Sequence, residues 1–168
     1  MIKDNIIESL NNQIKVEYDA SNYYLALAIY FETKGFKGIS EFFYNQSTEE
    51  RDHMLMVIRY MTEMSAEVQM PDLTKYEVPK ELDVKQAFME SLENEMGVTN
   101  CVNESHHISV QNKDYTTANF LQWFINEQRG EEDKFRSIID KLNIIGDSGV
   151  GLYQIDGELG GQSTNATE

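Results

Sequence analysis

"AEVQMPDLTKYEVPKEL", residues 66–82, contains both prolines of the chain, Pro71 and Pro79. Proline fixes φ and has no backbone N–H, so a segment with two of them does not continue a helix. On either side the apolar residues recur in steps of three and four, the period of a helix with one buried face. Gly35 and Gly38, the stretch "QNKDY" at 111–115 and the stretch "IGDSGVG" at 145–151 are the other breaks. They divide the chain into helical stretches near 4–33, 37–65, 83–110 and 115–144, with a short fifth near 150–160. Seventeen extended residues reach roughly 50 Å, and a helix of the lengths found here spans roughly 40 Å. Residues 66–82 can therefore run the full length of a bundle, so that helices two and three begin at opposite ends. The fold expected is all-α: a four-helix bundle with one long crossover between helices two and three, plus a short fifth C-terminal helix. Residues 1–145 form the bundle, 146–160 the fifth helix and 161–168 a mobile tail. A helix as short as the fifth is not stable alone, so Leu152, Ile155 and Leu159 are expected to pack against neighbouring chains.

Composition narrows the function. Apolar content of 40% and charged content of 26% fit a folded domain with a proper core. A net charge of −15 repels phosphate backbones and anionic membrane surfaces, which argues against nucleic acid and membrane partners and in favour of cations. No apolar run approaches the ~20 residues of a membrane span. The single Cys101 cannot form an internal disulfide, and "MIKDNIIESLNNQ" interrupts its apolar residues with Asp4, Asn5 and Glu8, unlike a signal peptide. The cytoplasm is the expected location.

The interior faces of the helices contain the chemistry. Alternating steps of four and three give Leu10, Ile14, Glu17, Ser21, Tyr24, Ala28 and Phe31 on helix one. Helix two gives Ile39, Phe43, Gln46, Glu50, His53, Val57, Tyr60 and Met64. Helix three gives Phe88, Leu92, Glu95, Thr99 and Val102, and helix four Leu121, Phe124, Gln128, Glu131, Phe135, Ile138 and Leu142. Each apolar stripe has an acid or amide near its middle, at comparable depth. Taken singly, each is as well explained as a stripe-edge residue or a member of a buried polar network. Four at one depth are better explained by a cation cluster, since buried carboxylates cost several kcal/mol unless compensated and no stripe holds a basic residue. Carboxylates with one imidazole and one amide suit iron better than zinc, magnesium or calcium. Ligands from four helices suit two metals better than one.

The segments "NNQIKVEYDASNYYLA" (11–26), "TEERDHM" (48–54), "NFLQWFINEQ" (119–128) and "SIIDKLNIIGDSGVGLYQIDGEL" (137–159) resemble the bacterial non-haem ferritins, and the likeness extends over roughly residues 1–160. The resemblance implies a ferritin-like di-iron carboxylate protein. Glu17 and His53 would bind a first iron, Glu50 would bridge, and Glu95 would hold the second with Gln128 nearby. Tyr24 would stand beside the site, hydrogen-bonding a ligand and supplying an electron. Glu49, Glu127 and Glu131 match residues of a third iron site towards the interior of a hollow shell of about 24 subunits. The implied activity is ferroxidase and iron storage, with dioxygen or hydrogen peroxide as oxidant.

Two positions depart from that pattern. Gly130 stands where the third site often has a further acid, and Ala118 and Leu121 stand where animal ferritins have an acidic channel pair. Relatives are separated by missing parts. Glu127 is followed by Gln128, Arg129 and Gly130, not by the second Glu-x-x-His of bacterioferritins, and Arg51 occupies the place of their haem methionine, so no haem is expected. One cysteine cannot supply the metal site of rubrerythrins. The alternative of a different class is an iron-binding or structural bundle with little intrinsic ferroxidase turnover. A DNA-protecting mini-ferritin fits the charge and the intra-subunit ligand set poorly.

Overall fold

The structure, a computed structural model, describes residues 2–72 and 74–162. Five helices follow one another: α1 (Asp4–Thr33), α2 (Lys37–Glu63), α3 (Val84–Gln111), α4 (Tyr115–Ile145) and α5 (Gly149–Gln162). The mobile tail expected at 161–168 lies, from residue 163 onward, outside the described residues. Just beyond each of the four long helices, one residue has a positive φ: Gly35, Ser65, Lys113 and Gly146. Such residues turn the chain out of the helix and let the next N–H groups bond back to the last carbonyls. Asp83 and Asp114 open α3 and α4, their side chains accepting from the backbone N–H of Gln86 (2.8 Å) and Thr117 (3.0 Å).

The crossover runs along α1. It starts against Asn11, whose amide donates to the Glu67 carbonyl (3.0 Å) and whose side-chain oxygen accepts from the Gln69 N–H (2.8 Å). Midway, Tyr76 packs edge-on against Tyr23, with ring centroids 4.7 Å apart. It ends at Tyr30, whose hydroxyl donates to the Leu82 carbonyl (3.1 Å) and accepts from the Leu82 N–H (2.9 Å). From Asn11 to Tyr30 is roughly 28 Å of helix, so α3 does begin at the end of the bundle away from the end of α2. The α1–α2 and α3–α4 hairpins pack together mainly through α1 and α3.

The core is divided. One apolar cluster gathers Tyr24, Leu27, Phe31, Phe43, Phe88 and Phe135 with their neighbours, and the other gathers Ile6, Leu10, Ile14, Met54, Val98 and Leu121 with theirs. Between them lies a belt of buried polar side chains. The α3 stripe differs from its sequence reading: Val98, not Thr99, faces the core, and Thr99 turns to hydrogen-bond Glu132 (2.7 Å). From Glu95 a step of three is needed here where a step of four was taken, because 3.6 residues per turn permit either.

The fifth helix also differs. Ile155 and Leu159 are buried in the chain's own core and Leu152 packs against it, instead of serving a neighbouring chain. Gly38 of α2 admits α5 at very close range: a Cβ there would lie 1.7 Å from the Asp156 carbonyl oxygen. The Asp156 side chain accepts from the Ile39 N–H near the start of α2 (2.9 Å). The apolar side chains that α5 leaves exposed are Val150 and Tyr153.

Candidate metal centre

The polar belt draws on all four long helices. Glu17 comes from α1, Glu50 and His53 from α2, Glu95 from α3 and Gln128 from α4; the three glutamates are 0% exposed, His53 3% and Gln128 1%. Glu50 and His53 are three residues apart, one turn, and so share the inner face of α2. His53 Nδ1 lies 3.4 Å from Glu50 Oε2 and 3.9 Å from Glu17 Oε2. One donor atom from each of these three residues falls within 4.8 Å of the other two. The imidazole is held edge-on by Trp123 and Phe124, at centroid distances of 5.4 and 5.8 Å.

The hydrogen bonding of these groups is uneven. Glu95 is satisfied: the Tyr24 hydroxyl donates to Oε1 and the Gln128 amide donates to Oε2 at 3.0 Å. Glu17 receives one bond, from the Gln13 amide. Both oxygens of Glu50, together with Glu17 Oε2, His53 Nδ1 and Gln128 Oε1, are buried without any hydrogen-bond partner. Proteins seldom leave buried polar atoms in this state, since each orphan costs about 1–3 kcal/mol and more when charged. No lysine or arginine among the described residues forms an ion pair with Glu17, Glu50 or Glu95. Burial, then the Glu50 carboxylate, pushes Glu95 up to about 8 and raises Glu17 well above the usual carboxylate range. Burial disfavours the imidazolium of His53, but the carboxylates of Glu50, Glu49 and Glu127 outweigh it and raise its pKa. Burial, then Glu95, raises the Tyr24 phenol, which stays protonated and able to donate. The site therefore has fewer positive charges than its carboxylates require, and its orphan donor atoms converge. Bound divalent metal fits the need.

Of the residues read for a third iron, Glu49 and Glu127 do meet, with His53 as the group's third member; their donor atoms lie within 4.8 Å of one another. Glu131 is engaged elsewhere. Its oxygens accept from Lys134 Nζ at 2.7 and 2.9 Å, and Oε2 also accepts from the Gln46 amide at 2.9 Å. The interior stripes hold no basic residue, yet a lysine reaches their edge from outside them. Gln13 and Lys134 were not read as site residues. Both had a signal: Gln13 stands one turn before Glu17, and Lys134 one turn after Glu131. Ala118 and Leu121 are both buried, so neither is free to line an opening.

Residues 7–145 match the family model described as a ferritin-like domain. A probable bacterial non-haem ferritin-like protein of Haemophilus influenzae is 34% identical over 168 residues, covering 99% of this chain and 100% of that one. A bacterial non-haem ferritin of Escherichia coli is 37% identical over 161 residues, covering 95% and 96%. Among solved structures, an open-pore ferritin from the archaeon Archaeoglobus fulgidus superposes with a TM-score of 0.90 at 34% identity, covering 95% of this chain and 96% of that one. The chain belongs to the ferritin family and is a bacterial non-haem ferritin in type.

Proposed function

We propose that this ferritin stores iron by oxidising Fe(II) at the belt between its helices and passing Fe(III) to the interior of a homo-oligomeric shell of about 24 chains. The observation that supports this most directly is the convergence of orphaned donor atoms from Glu17, Glu50 and His53 in a buried layer. In this reading Glu17 and His53 hold the first Fe(II), Glu50 bridges, and Glu95 with Gln128 holds the second. Each Fe(II) gives one electron; dioxygen takes both with two protons and leaves as hydrogen peroxide, or hydrogen peroxide takes both and leaves as two hydroxides. The protein contributes placement: two metals at short separation, with positions open to the oxidant. Tyr24, through the bond its hydroxyl donates to Glu95, fixes that carboxylate. Glu49 and Glu127 then draw Fe(III) away from the pair. Residues 1–145 are the oxidising unit and 146–160 serve assembly, with Val150 and Tyr153 as the side chains offered to neighbouring chains. The setting proposed is the cytoplasm; among the described residues no helix is long and apolar enough to cross a membrane.

Stopped-flow mixing of the apo-protein with two Fe(II) per chain in air tests the reading. A rapidly formed coloured diferric species is expected, absent in Glu50→Ala and His53→Ala shells of normal size. Oxidation no faster than that of free iron in the unaltered protein would instead make the chain a passive store. A fast phase that survives both substitutions would remove these residues from the reaction.

A further inference from the structure

Glu50 and Glu131 lie on the inner faces of facing helices, and both are buried glutamates, at 0% and 2% exposure. Their surroundings are opposite. Glu50 has no hydrogen-bond partner on either oxygen, whereas Glu131 has partners on both. The difference is Lys134, one turn further along α4. Its Nζ lies 2.7 and 2.9 Å from the Glu131 oxygens, 2.9 Å from Gln46 Oε1 and 3.3 Å from Glu49 Oε2. Four oxygen atoms from two helices thus gather around one ammonium, a coordination sphere for a cation that is already filled. Gly130, in the preceding turn, offers no side chain that could compete.

We infer that Lys134 is a tethered cation standing where a further iron would otherwise bridge Glu49 and Glu131, and that it keeps those two carboxylates from retaining metal. The inference rests on the two-iron reading above. A covalently attached ammonium is present at high effective concentration and does not diffuse away, so a metal ion must displace it to reach Glu131. An ion beside it would also meet like charge at short range in a partly desolvated place. Iron leaving the pair then finds Glu49 and Glu127 but no closed site in which to stay. Lys134 is a positioning residue. It sets how many metals the chain retains, and it takes no part in the electron transfer.

Crystals of the full-length shell soaked in Zn(II), which cannot be oxidised, test the inference by location. In the unaltered protein no anomalous peak is expected between Glu49 and Glu131, with Lys134 still on Glu131. In Lys134→Met a peak should appear there, and Lys134→Arg should restore its absence. Anaerobic calorimetry with Fe(II) should count one more ion per chain in Lys134→Met than in the unaltered protein. Lys134→Gln, which retains a donor for Glu131, serves should the Met variant assemble poorly, and the zinc map of the unaltered protein needs no variant at all. A metal between Glu49 and Glu131 in the unaltered protein overturns the inference. So does an intact Lys134→Met or Lys134→Gln shell with no added ion. Fewer than two ions per chain in the unaltered protein would refute the two-iron reading itself, a result distinct from either.

Discussion

Removing metal while raising pH should unsettle this protein, and the size of the effect follows from the belt. Glu95 sits at about 8 in the metal-free fold, against an ordinary value near 4.5, because burial and then the Glu50 carboxylate disfavour its charged form. A folded-state pKa above the unfolded one means that the folded chain binds the proton more tightly. That stability is fully present below about pH 4.5 and is lost as pH rises through about 8. Each pKa unit is worth about 1.4 kcal/mol, so Glu95 alone withdraws roughly 5 kcal/mol per chain across the interval. Glu17, raised by burial and then by Glu50, and His53, raised by its surrounding carboxylates, act in the same direction. Between pH 5.5 and pH 8 roughly 3 kcal/mol of the Glu95 contribution is withdrawn, which for a chain of this size is a Tm change on the order of 6–12 °C. Divalent cations bound there replace the protons and supply the missing positive charge, so the loss should vanish when they are bound. Differential scanning calorimetry of apo-shells in chelator, at pH 5.5 and pH 8, with and without Zn(II), measures this. Tm should fall with pH only in the metal-free protein. A metal-free Tm that is flat or rising over this range, or an equal fall with zinc bound, would refute the account of the belt as an uncompensated carboxylate cluster.

Two further outcomes follow from the helix packing. Gly38→Ala places a Cβ within 1.7 Å of the Asp156 carbonyl oxygen, which is backbone and cannot rotate away, so α5 must shift. A destabilisation of about 1–3 kcal/mol is expected, visible as a lower Tm and faster proteolysis after Gly146; unchanged values would mean that α5 does not dock as described. Gly130→Ala, by contrast, adds a Cβ that meets nothing within 4 Å in the middle of a helix. It should stabilise the chain by about 1 kcal/mol and leave the fast oxidation phase alone, and a lower Tm would show that the glycine serves a purpose the packing does not reveal.

Much of this protein is determined locally and could be read without its structure. Helix periodicity and the two prolines depend on neighbours in the chain, so the four long helices, the crossover between α2 and α3, and the inward faces of Glu17, Glu50, His53 and Gln128 followed from residue order. The tertiary structure decided which of the buried acids lack a partner. Glu50 and Glu131 occupy equivalent places in their stripes, but the residue three positions on is His53 in one case and Lys134 in the other. Lys134 folds back along α4 onto Glu131 and Gln46 reaches it from α2, whereas no lysine or arginine reaches Glu50; the Gln46 contact depends on the register between α2 and α4. The packing of α3 chose the step of three that puts Val98 inward in place of Thr99, and the close approach at Gly38 turned Ile155 and Leu159 into the chain's own core. Periodicity fixes which face of a helix is buried. What that face meets depends on how whole helices are set against one another, and no local pattern encodes it.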